Sequence, residues 1–336
     1  MPIPSLRPEP KRDHYGRYLI DGQAYTRATT VVGTLKDLNG LMNWKRRKVA
    51  EGLAVAPQLL RAIPDMAAEI EAAGDDWRSA KEAKARLDAL CDQAADAAGA
   101  NRGSKAGTEA HTLSEWADAG RLDEVKHLAT EAELADLQAY LDAMDRNGIE
   151  RPVEYIERIV INSTVESAGT FDRLVRLRDG RLVVADLKSQ QSVDFGFLEI
   201  ACQLAQYANA DAMLSEAGDL VPLPDDLDLE VGLVMHAPVG SARCDLYLVD
   251  LVTGWEAAQV AHRVRQLRKA SKALGRPFTS PPPSPEDTRR HLHLVRNAPH
   301  VESLKGLWRD LKGQGLWTDE LTRAAAARRA ELEAAA

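Results

Sequence analysis

Long apolar runs are missing from this chain of 336 residues. None approaches the ~18 residues needed to span a bilayer. The opening Met1-Pro2-Ile3-Pro4-Ser5-Leu6-Arg7 has no apolar signal core. The expectation is a soluble, cytoplasmic protein with no membrane partner. Cysteine is scarce too. Cys91, Cys202 and Cys244 are scattered with no C-x-x-C spacing, which fits a reducing compartment and argues against a four-cysteine zinc or iron–sulfur site. There is no G-x-x-x-x-G-K-[ST] loop, so an ATP-driven motor is not expected. A Ser-centred nucleophile elbow and an H-E-x-x-H pair are also absent. Aromatics make up only 5% of the chain, and Trp44, Trp77, Trp116, Trp255, Trp308 and Trp317 read as packing anchors rather than base-stacking platforms.

What is present suffices for a folded core. Hydrophobic residues are 45% of the chain and charged residues 28%, the composition of an ordinary globular protein. The net charge is −8. An acidic total is a weak guide to partners, because binding follows local potential. Basic clusters do occur. One is Lys45-Arg46-Arg47-Lys48. Another is Arg263, Arg265, Arg268, Lys269, Lys272 and Arg276, within a stretch free of acids from Ala257 through Pro285. Either cluster reads equally well as a solvated helix face.

Periodicity divides the chain into three regions. Residues 1–100 read as a β-hairpin followed by helices. Tyr18-Leu19-Ile20, an Asp21-Gly22 turn and a return strand from Tyr25 to Val32 make the hairpin. A helix from Asn39 to Ala54 and an Ala-rich helical stretch over 56–100 follow, with Asp75-Asp76 as a helix cap. Residues 101–275 form the second region. Asn101 to Gly107 reads as a glycine-bearing loop, Thr108 opens a helix, and another helix covers 130–147, stopped by Asn147-Gly148. The period then shortens. Tyr155–Asn162, Ala168–Leu177 and Arg181–Lys188 are strand-like, with Asp179-Gly180 turning the second into the third. A helix over Leu198–Ala217, strands Glu230–Met235 and Cys244–Val249, and a basic helix Gly254–Leu274 complete an α/β region: a mixed central sheet flanked by helices. Residues 276–336 read as a stiff proline-rich linker and small helices, with Trp308 and Trp317 as anchors.

Chemistry concentrates in the middle region. Gly169-Thr170-Phe171-Asp172 lies on one strand, and Val183-Val184-Ala185-Asp186-Leu187-Lys188-Ser189 on the next. Asp186 and Lys188 are two apart and share a strand face. Isolated buried charge is costly, so these groups need partners or a task. Two converging carboxylates suit a hard divalent cation. A lysine beside them can position or deprotonate water, or stabilise developing negative charge. Taken singly, Asp172 reads as a turn cap and Asp186–Lys188 as an interstrand ion pair; the short hairpin joining them favours the shared site. His111 follows the glycine-bearing loop and is either a packing residue or a metal ligand. Glu109 faces away from His111 on the helix. Gln203 and Tyr207, four apart, share a helix face and are either ordinary amphipathic residues or phosphate contacts. Glu157, at the start of the first strand, reaches toward the same end of the sheet and ranks below the others.

In order, His111, Gly169-x-x-Asp172, Asp186-x-Lys188-Ser189 and Gln203-x-x-x-Tyr207 resemble the PD-(D/E)xK nuclease superfamily, closest to its RecB-like, phage-encoded exonuclease branch. The resemblance spans about residues 102–272, and Tyr18 to Trp44 adds a weaker match. It implies a restriction-endonuclease-like core with N- and C-terminal helical additions. It implies Mg²⁺ or Mn²⁺ held by Asp172, Asp186, His111 and the carbonyl of Leu187. Lys188 would orient or activate the attacking water. Gln203 and Tyr207 would contact DNA or support Lys188. The usual proline is Phe171 here, a departure common in that branch. No iron–sulfur cluster is expected, since the cysteines are wrongly placed. The expected activity is DNA hydrolysis in phage or bacterial recombination and repair, exonucleolytic by resemblance. DNA is the expected partner, with a recombinase or helicase as a candidate protein partner. A non-catalytic DNA-end-binding module and an endonuclease stand as alternatives.

Overall fold

The structure is a computed structural model, and it describes residues 11–74, 80–194, 196–275 and 284–334. It divides into two compact units, Met1–Arg265 and Gln266–Ala336. The Asp75-Asp76 cap, Trp77 and the prolines at 277 and 281–283 lie outside the described residues.

Strands β1 (Tyr18–Ile20) and β2 (Gln23–Arg27) form the expected hairpin, with both turn residues at positive φ. The return strand does not reach Val32. It leaves the hairpin to pair in parallel with a later strand, and the chain winds into a short helix, α1 (Ala28–Val32). The β-branched run Thr29 to Val32 suggests a strand locally. Burial of Ala28, Val31 and Val32 overrides that preference. Helices α2 (Asn39–Val55), α3 (Ile63–Ala72) and α4 (Lys81–Ala97) follow. Gly52 lets α2 rest on α4, because a side chain there would run into the Ala94 carbonyl.

Helix α5 (Arg102–Asp118) begins earlier than its glycines suggest, so the stretch before Thr108 is helix and not loop. Gly107 is buried there, and a Cβ would lie 2.6 Å from Ser189 Oγ. The glycine serves a close approach rather than a turn. Helix α6 (Leu122–Leu128) precedes α7 (Glu131–Arg146), which opens on a capping box of Thr130 and Glu133.

The central strands are β3 (Ile156–Asn162), β4 (Ser167–Arg176) and β5 (Leu182–Lys188). Helix α8 (Phe197–Ala208) ends nine residues before the expected Ala217. The chain then forms edge strands β6 (Ala212–Leu214) and β7 (Leu220–Val221). Ala212, Met213 and Leu214 are adequate helix formers; pairing of Met213 with Val160 on β3 decides otherwise. Strands β8 (Val231–His236) and β9 (Asp245–Asp250) lead into α9 (Leu251–Ala270). The main path of the sheet is β7-β6-β3-β4-β5-β8-β9, parallel between β5 and β8 and antiparallel along the rest. It is a mixed sheet flanked by helices. On β5, Leu182 and Val184 pack with Ile200 and Leu204 of α8, while Val183, Ala185 and Leu187 pack with Leu113, Leu137 and Tyr140 of α5 and α7. Burial on both faces explains the unbroken apolar run.

In the second unit, α10 (Pro285–Arg296), α11 (Val301–Gly313) and α12 (Asp319–Ala334) bury Leu292, Val295, Leu304, Leu311 and Leu321 together. Ser284 caps α10 with Pro285 at its first position. Trp317 packs against this cluster as an anchor. Trp308 does not; it is 45% exposed and carries Lys312 over its ring.

A buried ionic strut ties the helices to the sheet. Arg173 of β4 is fully buried, with Nε 3.2 Å from Asp118 Oδ2 and Nη2 donating to Ser114 Oγ at 3.0 Å. Asp118 also accepts from the Tyr140 hydroxyl at 2.7 Å and faces Arg151 Nε at 3.0 Å. Removing Asp118 would leave the fully buried Arg173 guanidinium without its carboxylate partner, whereas Arg151 keeps Asp145. Asp118→Ala is therefore expected to lower stability by about 3–5 kcal/mol, read from urea unfolding.

Candidate active site

The β4–β5 ladder runs through Arg173↔Ala185, and one step further brings Asp172 beside Asp186. Instead of another ladder bond, the Leu187 N–H donates to Asp172 Oδ2 at 2.7 Å. The Leu187 N–H thus fixes the carboxylate from the main chain. His111 comes from α5, with Nδ1 3.2 Å from the same oxygen. Lys188 Nζ lies 2.5 Å from Asp186 Oδ2.

Helix α8 braces this group. Gln203 Oε1 accepts from Lys188 Nζ at 3.4 Å, and its Nε2 donates to Asp186 Oδ1 at 3.4 Å and to Tyr207 OH at 3.1 Å. The i,i+4 spacing places both side chains on the sheet-facing side. Gly169 makes room for this. A Cβ there would lie 2.5 Å from the Tyr207 ring. All six side chains singled out as site candidates, with the Leu187 backbone, therefore meet where the β4–β5 pairing ends, at the middle of β4 and the end of β5.

Glu157 joins them more closely than its low ranking suggests. The β3–β4 pairs on either side of it, Ile156↔Arg173 and Arg158↔Phe171, place it opposite Asp172. Glu157, Asp172 and Asp186 thus form a row across three strands. Glu157 itself has φ +51°, a left-handed conformation uncommon outside glycine. Glu115 of α5 lies close enough for its charge to bear on the Glu157 carboxyl. Glu115 went unnoticed in the sequence, although it lies one helical turn beyond His111. The i,i+4 spacing that pairs Gln203 with Tyr207 would have found it.

The charges shift one another. Burial opposes the charged form of His111, but Asp172 outweighs it and raises the imidazole's pKa. Asp172 is held well below the usual carboxylate range: burial pushes it up, and the His111 charge and hydrogen bond, Arg173 and Lys188 overcome that. Asp186 is raised, by burial first and then by Asp172, against the pull of Lys188. Lys188 is raised, since Asp186 and Asp172 outweigh its burial. Glu157 is pushed up to about 9 by burial, Asp172 and Glu115.

The donor set suits a hard divalent cation. Asp172 and Asp186 are 9% and 2% exposed, and Asp186 Oδ2 takes no well-aligned hydrogen bond despite the nearby ammonium group. Among the described residues, no three His, Cys, Asp or Glu side chains stand at chelating distance as placed. His111 and Lys188 neutralise the two carboxylates instead.

The site opens into a cleft of about 1230 Å³, whose walls include Trp44, Arg102, His111, Glu115, Glu157 and Asp172. Lys188 and Gln203 face a second recess of about 430 Å³, walled also by Lys36, Leu38 and Leu41. Among the described residues, no helix is long and apolar enough to cross a membrane.

No protein-family model matches the chain, and no curated protein matches it. Among solved structures it is similar to the crystal structure of SSO0001, at 14% identity over 46% of this chain and 71% of that one. The TM-score is 0.21, too low for the likeness to bear on fold or function.

Two substitutions probe this geometry. Gly169→Ala is expected to displace Tyr207 and cost about 1–3 kcal/mol, seen as a lower thermal midpoint. For Glu157, the unfolded chain loses its proton near the ordinary 4.5 and the folded chain near 9. Folding therefore retains a proton between those values, and the carboxyl costs stability increasingly as pH rises through that window. In EDTA, Glu157→Gln is expected to raise the thermal midpoint at about pH 8 and leave it unchanged at about pH 4.

Proposed function

We propose that the chain is a metal-dependent deoxyribonuclease of the PD-(D/E)xK superfamily, an exonuclease of its RecB-like, phage-encoded branch. Its substrate is DNA in phage or bacterial recombination and repair, in the cytoplasm, and a recombinase or helicase is its candidate protein partner. The observation that carries this reading is the convergence of Asp172, Asp186 and Lys188 at the end of one hairpin, braced by Gln203.

Asp172, Asp186 and His111 would hold Mg²⁺ or Mn²⁺, with the Leu187 carbonyl as a further ligand by resemblance. Once bound, such an ion neutralises a phosphate and lowers the pKa of a coordinated water. Lys188 has a raised pKa, so its ammonium stays charged at neutral pH. A charged lysine serves better to orient water and stabilise the crowded phosphate than to abstract a proton. Gln203 keeps that ammonium over the carboxylates, and Tyr207 keeps Gln203 in place. Asp186 counters the lysine charge until a phosphate approaches.

Linear DNA incubated with the protein and Mg²⁺ or Mn²⁺ is expected to be degraded, and EDTA to stop it. Asp186→Ala and Lys188→Ala are each expected to slow hydrolysis by about 100-fold or more, with the thermal midpoint measured as a control. The rate at subsaturating DNA should fall as salt rises, because phosphate contacts release counterions. Tight DNA binding without turnover across several metals would replace this reading with a DNA-end-binding module.

A further inference from the structure

Trp44 sits where a packing anchor would not. Trp116 is buried among α5–α7 residues, and Trp255 and Trp317 pack against apolar clusters. Trp44 instead lines the cleft that holds His111 and Asp172, and it is half-buried. Its helix continues the same surface. Leu38, Leu41 and Met42 are 47%, 48% and 48% exposed, and Leu38 and Leu41 line the recess that holds Lys188 and Gln203. Both recesses share Gln190 on their walls, so the apolar edge of α2 passes along the carboxylate–lysine centre. Apolar side chains grouped on one recess and rimmed by polar residues are a mark of a ligand-binding groove.

Charge indicates which ligand. Lys45, Arg46 and Arg47 follow Trp44 directly, Lys48 is paired with Glu51, and Lys36 and Lys188 line the recess together with Asp37 and Glu199. Across the cleft, Arg102 and Ser104 open α5. An unpaired DNA strand combines apolar base faces with an anionic backbone and satisfies both features. A duplex stacks its bases on each other and offers Trp44 only sugar and phosphate.

We propose that Trp44 is a stacking platform for an unpaired base of a single-stranded DNA end, holding the strand beside Asp172 and Asp186. The proposal rests on the nuclease reading and deepens it by naming the substrate class. Stacking on an aromatic ring tolerates any base, since every base has a π-face. The platform therefore selects for single-strandedness and not for sequence.

The test measures binding without turnover. The full chain in EDTA is titrated into fluorescein-labelled oligothymidylate and into a blunt hairpin duplex, read by anisotropy. Trp44→Ala is expected to weaken single-strand binding by roughly 5- to 100-fold, the range of base–aromatic stacking, and to leave duplex binding unchanged. Trp44→Phe is expected to retain most of the affinity. A single abasic residue scanned along the oligonucleotide should reproduce the loss at one position with the wild-type chain and add nothing with Trp44→Ala. A flat scan, or an equal loss on both substrates, overturns the platform. Cleavage assays separate the two readings. DNA hydrolysis with a flat scan keeps the nuclease and removes the platform. The predicted scan without hydrolysis under any metal keeps the platform and removes the nuclease.

Discussion

The hydrogen bond from the Leu187 N–H to Asp172 is the contact on which the site depends. It replaces a ladder bond at the point where β4 and β5 would continue pairing. By spending a backbone donor on a carboxylate, it fixes Asp172 next to Asp186 at a buried position. A carboxylate held by a main-chain donor cannot drift with side-chain motion. Every other feature of the site is arranged around that point: His111 on the same oxygen, Lys188 on Asp186, and Gln203 across both Asp186 and Lys188.

Burying so many charges in one place requires compensation. Asp172, Asp186, Glu115 and Glu157 are four carboxyl groups within reach of one cleft and its floor, faced by His111, Lys188 and Arg173. The fold accepts this because Arg173 is itself locked to Asp118, Ser114 and the Tyr140 network on the far side of β4. Consecutive residues on one strand thus face two different tasks. Asp172 supplies the site, and Arg173 supplies the support beneath it. The low dielectric strengthens such satisfied pairs, and removing one partner leaves an uncompensated buried charge.

The same arrangement gives the cleft its character. Its floor is acidic, yet the helix along its edge is apolar and then basic, from Leu38 through Arg47, with Lys48 paired to Glu51. An acidic floor attracts a cation and repels phosphate. Cationic groups nearby then matter for drawing a polyanion over it, which is why the net charge of −8 says little about nucleic-acid binding.

The sequence alone determined the parts that depend on near neighbours. The β4–β5 hairpin was legible from an apolar, β-branched run turned by Asp179-Gly180, and the Gln203–Tyr207 pair from helical spacing. Those signals hold because hydrogen-bonding period and turn chemistry act over a few residues. Tertiary structure decided the rest. Thr29 to Val32 became helix α1 and Ala212 to Leu214 became strand β6, because distant packing and pairing outweighed local preference. Glu115 and Trp44 entered the cleft only through the way α5 and α2 approach the sheet, and Gly107 serves that approach by leaving room for Ser189. Periodicity tells which face of an element is buried; it carries no information about which other element that face will meet.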